Sequence, residues 1–222
     1  MSGSASHDEA AAGAAAGRPR DPRIEDAMLE AARALLVEQG FGGLSLSGVA
    51  ARAGSNRPAL YRRWHSKLAL VVDALKFGYR RERALVAEQA VRADSPRARF
   101  AQALAALDPR VVNPHAYVLQ GDVLAESERN PLLLAALQEH AVEPRCADFA
   151  AELRVLQEEG SIRADVDVQL LATLCFGGFF GAILRHGSDG ADDFAPRITP
   201  VLWAMLAVEG ADRVIPASDC SG

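Results

Sequence analysis

Between Ser45 and Lys67 the chain reads SLSGVAARAGSNRPALYRRWHSK, and its cations are grouped. Arg57, Arg62 and Arg63 surround Tyr61, with Lys67 just beyond. A guanidinium in such a run can fork onto a guanine edge, a contact that discriminates between bases by about 1–3 kcal/mol. Ser45, Tyr61 and Lys67 offer hydroxyl and ammonium donors to phosphates, contacts that set register rather than sequence. Other chemistries find little support. His7, His65, His115, His140 and His186 form no i, i+4 pair, and His140 with Cys146 is only a weak hint of a metal site. Cys146, Cys175 and Cys220 are odd in number and widely spaced, which argues against a disulfide framework. Cys175 lies in an apolar run and reads as a small buried hydrophobe with no flanking cation to activate it. Gly177-Gly178-Phe179-Phe180-Gly181 lacks the Lys-Ser/Thr ending of a phosphate loop and reads as close helix packing. No paired carboxylates and no Ser/His/Asp set stand out, so neither an enzyme nor a cofactor is expected.

The cations need short helices to hold them. Ser45 and Asn56 are N-capping types, each followed by apolar positions at helical spacing, and Gly54 lies between the two segments. A helix–turn–helix is predicted, its second helix running from Asn56 to Trp64 and fitting a major groove about 12 Å wide. Leu60 and Trp64, four apart, pack inward, which leaves Arg57, Ala59, Tyr61, Arg62 and Arg63 to point elsewhere. An amphipathic helix precedes it, from the Asp21 cap through Ile24 and Leu36 to Gly40. Ser66 opens a further helix toward Ala90, aiming its first N–H groups at an anion. Punctuation at Asp94-Ser95-Pro96, Asn113-Pro114, Asn130-Pro131 and Asp165 or Asp167 opens later helices, and a last one spans Phe194 to Val208. Pro144 should kink or divide the helix from Leu132 to Glu159. With no sustained period-2 alternation, the expected fold is all-α with about nine helices.

The net charge of −5 is unevenly spread. Thirteen basic against eight acidic residues from Arg18 to Ala90 leave that segment at +5, so the rest is acidic. A basic front and acidic back suit a DNA-binding head on a body that stays off the phosphates. Residues 1–17, mostly Ala, Gly and Ser, read as a disordered tail. No apolar run approaches the roughly 20 residues that span a bilayer, and Leu170 to Leu184 reads as a buried helix. A cytoplasmic protein is expected, because no secretory signal pattern opens the chain.

The segment from Ile24 to Leu75 resembles the TetR family, through Gly40-Phe41, Ser45, Val49-Ala50, Ala53-Gly54, Leu60-Tyr61, Trp64 and Ser66-Lys67. Gly48, Ala59 and Trp64 depart from the usual pattern of a larger residue, threonine and phenylalanine. The resemblance implies a homodimer whose heads enter successive major grooves of a palindromic operator. Ser45, Tyr61 and Lys67 are thereby assigned to phosphates, and Arg57, Ala59 and Arg62 to the groove-facing surface. It also implies a helical body that binds a small, largely apolar ligand and dimerises through its last two helices. Phe77, Phe100, Tyr117, Gln120, Leu124, Phe149, Phe176 and Phe180 are the candidate pocket residues, and Gly177, Gly181, Trp203 and Met205 the candidate dimer contacts. The division is thus a tail (1–17), a head (18–67) and a ligand-binding, dimerising body (68–222), forming a ligand-responsive repressor. A partner-binding adaptor without operator binding is the first rival, and a helical-bundle enzyme the second.

Overall fold

The computed structural model describes residues 22–89, 93–111, 113–190 and 192–210. The expected tail, the Asp21 cap and Cys220 lie outside the described residues. Within them the chain is helical, its one extended pairing being an isolated bridge between Ile162 and Ala207.

The head comprises α1 (Pro22–Gly43), α2 (Leu46–Arg52) and α3 (Arg57–Tyr61). The capping residues act as their types dictate. Ser45 Oγ accepts the Gly48 N–H at 3.1 Å, and Asn56 Oδ1 accepts the Ala59 N–H at 2.9 Å. Gly54 turns the chain between α2 and α3 with φ +62°. Regular helix in α3 stops at Tyr61, short of the expected Trp64, yet Trp64 N–H still donates to Leu60 O at 2.9 Å. Helix α4 (Lys67–Gln89) follows, with Ser66 Oγ accepting the Ala69 N–H.

Beyond it come α5 (Pro96–Ala106), α6 (Ala116–Glu126), α7 (Pro131–Leu137), α8 (Glu143–Glu158), α9 (Val168–Gly190) and α10 (Phe194–Leu206). A π turn over Gln138–Val142 joins α7 to α8 without a break, so nine helical rods are present among the described residues. Pro144 accounts for the widened turn: it has no N–H to give the carbonyl of His140, four residues earlier. The choice between Asp165 and Asp167 falls to Asp167, whose Oδ1 accepts the N–H groups of Gln169 and Leu170, both at 3.0 Å.

Two apolar clusters form the interior. One joins the head to the following helices, from Met28 and Leu36 through Leu60, Trp64, Leu70 and Leu75 to Leu119, Val123 and Leu137. The other is built by α5, α8, α9 and α10 around Phe100, Phe149, Leu153, Phe179 and Trp203. The apolar interior therefore does not divide after residue 67.

Helix α9 departs from expectation. Val168–Ser188 is long and apolar enough to cross a membrane by length and composition, because the helix runs past Leu184 where the apolar run was taken to end. Its surplus is a stripe rather than a uniform coat. Leu170, Leu174, Gly177, Gly181 and Leu184 recur at four- and three-residue steps and are all exposed.

Candidate nucleic-acid interface and its link to the body

Helix α3 sorts its side chains into two sets. Leu60 and Trp64 are buried in the first core, while Arg57, Tyr61 and Arg62 face solvent. Trp64 Nε1 donates to Asp73 Oδ2 at 2.9 Å, fastening the end of α3 onto α4. Arg57 stacks toward Tyr61, its guanidinium carbon 5.8 Å from the ring centroid, which leaves both polar ends on the outer face. Ser45 is exposed at the start of α2. Arg57, Tyr61, Arg62 and Ser45 thus present a chemically coherent surface: guanidiniums for base edges or phosphates, hydroxyls for phosphates.

Three residues are placed otherwise than the sequence led us to expect. Ala59 is only 7 % exposed, its methyl turned into the core with Leu60, so it does not belong to the groove-facing surface. Arg63 turns back into the head, Nε toward Glu25 Oε2 at 3.3 Å and Nη1 onto Ala59 O at 3.2 Å. Lys67 Nζ donates to Phe41 O at 2.5 Å and Gly42 O at 3.3 Å, and sits 4.5 Å from the Phe41 ring centroid. Its charge closes the end of α1, where Gly40 breaks the helix with φ +68° and leaves carbonyls without helical donors.

The same break is held from the body. Asp122 of α6 accepts the Phe41 N–H through Oδ2 at 2.8 Å. A side chain at Gly40 would meet Asp122 Oδ1 at 2.9 Å, besides being strained at positive φ. Helix α6 and the head thus share a charged hydrogen bond.

A second link is buried and ionic. Glu82 of α4 receives Arg33 Nη2 from α1 at 2.5 Å, Arg145 Nη2 from α8 at 3.1 Å and Asn113 Nδ2 at 2.9 Å. Arg145 is steadied by donating Nη1 to Ala141 O, in the π turn, at 3.0 Å. Sequence reading passed over Glu82, since a single glutamate in a helix rich in arginine reads as a solvated charge. Burial, with Glu82 adding to it, raises the Tyr79 hydroxyl far above the ordinary phenol range. That hydroxyl stays protonated and has no hydrogen-bond partner.

The candidate pocket residues separate by burial. Phe100 and Phe149 are fully enclosed and stack with each other at 5.9 Å, and Phe100 with Trp203 at 5.7 Å. They fill the second core, and Trp203 is enclosed with them. Leu124 is 48 % exposed. Tyr117, Phe176 and Phe180 are half-buried and grouped, with Tyr117 edge-on to Phe180 at 4.7 Å and Phe176 at 6.1 Å from Phe180. Gln120 is buried with Oε1 unpartnered. Phe77 is half-buried beneath Arg81, at the edge of the first core. Cys175 is a protonated thiol, pushed up to about 11 by burial, and burial also raises Cys146. Gly177, Gly181 and Met205 are all exposed.

A capped two-helix turn carrying an outward cationic face on an all-helical body is the arrangement of a DNA-binding transcriptional regulator of the helix-turn-helix class. Residues 28–74 match the bacterial regulatory proteins of the tetR family, and residues 90–201 match the tetracyclin repressor-like C-terminal domain. An uncharacterised HTH-type transcriptional regulator of Mycobacterium tuberculosis is 34 % identical over 151 residues, covering 66 % of this chain and 71 % of that protein. A DNA-binding transcriptional repressor, TetR, of Mycobacteroides abscessus is 27 % identical over 197 residues, 83 % of this chain and 94 % of its own. The fold is shared with a TetR transcription regulator of Haloarcula marismortui at a TM-score of 0.70 and 16 % identity, over 85 % of this chain and all of that one. The chain belongs to the TetR family.

Proposed function

We propose that two copies of this chain bind an imperfectly palindromic operator, repress transcription there, and release it when a small ligand occupies the body. The observation that carries this reading is the two-sided α3, with Arg57, Tyr61 and Arg62 outside and Leu60 inside. Inserted into successive major grooves, the two heads would stand about 34–36 Å apart. On this reading the head is residues 18–67 and the body, residues 68–222, binds the ligand and dimerises, although one apolar core joins the two. Such a protein works in the cytoplasm, beside the chromosome.

For dimerisation the support is the exposed stripe Leu170, Leu174, Gly177, Gly181 and Leu184 on α9, with Val201 and Met205 on α10. Contiguous apolar surface on two neighbouring helices marks an interface, and glycine lets a second copy approach closely. Leu174→Glu should convert a dimer to monomers at micromolar concentration, read by sedimentation velocity. An unchanged mass would remove α9 from the interface.

The ligand reading rests on Tyr117, Phe176, Phe180 and Gln120, and suits a small, largely apolar molecule with one polar group. Switching would act through the Asp122 and Glu82 links to α1. A ligand can shift the heads only if it binds their two arrangements unequally.

Enrichment of random duplex DNA on the purified protein tests the reading as a whole. A recovered palindrome with half-sites one turn apart supports it; no enrichment defeats it in favour of the adaptor. Arg62→Ala should relax preference at one base position by about 1–3 kcal/mol while leaving random duplex binding nearly unchanged. Equal losses on both DNAs would reassign Arg62 to phosphate.

A further inference from the structure

Past the break at Gly40 the chain makes one short turn, Phe41-Gly42-Gly43, before Ser45 caps α2. Both Gly42 and Gly43 are exposed, and a Cβ on Gly42 would meet nothing within 4 Å. Adjacent glycines leave a backbone with wide conformational freedom, so this turn is positioned by whatever holds it from outside. On its inner side the Leu44 N–H donates to Gly40 O at 3.2 Å, and Leu44 is buried in the first core. Ser45, part of the polar surface shared with α3, is the next residue along.

Two charged side chains from other helices converge on Phe41. Asp122 of α6 accepts its N–H at 2.8 Å, while Lys67 of α4 donates to its carbonyl at 2.5 Å and to Gly42 O at 3.3 Å. A single residue of the turn is thus gripped at its donor by an anion and at its acceptor by a cation. Lys67 is half-buried, and its ammonium stands 4.5 Å from the Phe41 ring centroid. Reaching a phosphate would give up both carbonyls and the ring for one exposed ion pair. An exposed pair is worth less than two charge-assisted hydrogen bonds in a part-buried place.

We propose that Lys67 is a positioning residue for DNA binding: it pins the Phe41–Gly43 turn, and with it the place of Ser45 and α2, and neutralises no phosphate itself. Asp122 holds the same turn from the opposite side, so the residues that position the head extend into the body. This role rests on DNA binding by the helix–turn–helix and needs neither a palindrome nor a ligand.

Salt dependence separates a pinning cation from one that sits on a phosphate. The full-length protein, checked as folded by circular dichroism, is titrated with random-sequence duplex over a series of salt concentrations. Lys67→Met keeps the aliphatic stem and should weaken binding about fivefold, the worth of about one hydrogen bond, with the slope of log K against log salt unchanged. A lysine bound to phosphate would instead make the slope shallower by about 0.9. Asp122→Ala removes a negative charge, which by electrostatics alone favours DNA. It should weaken binding nevertheless, and less than additively with Lys67→Met. Gly42→Ala, at a position with open space and no positive φ, should recover part of either loss by limiting the turn.

A slope made shallower by about 0.9 in Lys67→Met, Asp122→Ala that binds as tightly as the parent or more tightly, or fully additive losses in the double variant would each overturn the proposal. If Lys67→Met does not fold, Asp122→Ala and its rescue by Gly42→Ala decide the matter. A parent protein that binds no duplex at all would defeat DNA binding and this role with it, a result distinct from the other three.

Discussion

Trp64→Ala should lower stability by about 3–5 kcal/mol, the range for truncating a buried aromatic, and abolish duplex binding with it. The indole is enclosed in the core that joins α3 to α1 and α4, and its Nε1 donates to Asp73 at 2.9 Å. Two effects would be lost together: packing that fixes the angle of α3, and a charge-assisted bond that ties its end to α4. Trp64→Phe separates them. It keeps most of the buried area and loses only the bond, so it should cost about 1.5–3 kcal/mol at most. Urea unfolding of both variants measures the difference. Equal losses would mean that the Asp73 bond, not packing, carries the effect.

Glu82→Gln should be nearly as damaging, although it changes a single atom. The amide keeps the shape of the carboxylate but leaves Arg33 and Arg145 buried with no anion between them. Removing one partner of a buried pair typically costs about 3–5 kcal/mol. The bonds of the network run from α1 to α4 and from α4 to α8, so cooperative unfolding should report the loss through both contacts. Adding Arg145→Met to Glu82→Gln removes one stranded charge and should recover a measurable part of the stability. A Glu82→Gln protein within about 0.5 kcal/mol of the parent would show that water already solvates both arginines.

How far the sequence could be read depended on the range of the interaction. Caps at Ser45, Asn56 and Ser66 act over three residues, and all three were visible as residue types in the right place. The inward positions of Leu60 and Trp64 followed from helical period alone. Period, however, names the faces of a helix without saying what stands opposite. Arg63 and Glu25 are 38 residues apart, Lys67 and Phe41 26 apart, and Arg33 and Glu82 49 apart. Nothing local distinguishes Arg63, turned inward, from Arg62, turned outward. The aromatics were equally ambiguous: Phe100 and Phe180 both fall at apolar positions of helices, and only the packing of α10 encloses the first with Trp203. Pro144 announced a disturbance, but the alignment of Arg145 with Glu82 emerges only once α7 and the π turn are packed on α4.

The first core passes from Met28 through Leu60 and Leu75 to Val123 and Leu137 without a seam at residue 67. Anyone wishing to graft this head onto a different body should not cut there. A fragment ending at Lys67 would present Met28, Leu36 and Trp64 to water on the side where Leu70, Val71 and Leu75 had been. The smallest transplantable piece includes α4 and the stretch of α6 that carries Asp122. If α3 reads the operator as proposed, exchange of specificity between relatives is easier by rewriting its outer face, at Arg57, Tyr61 and Arg62, than by swapping whole modules.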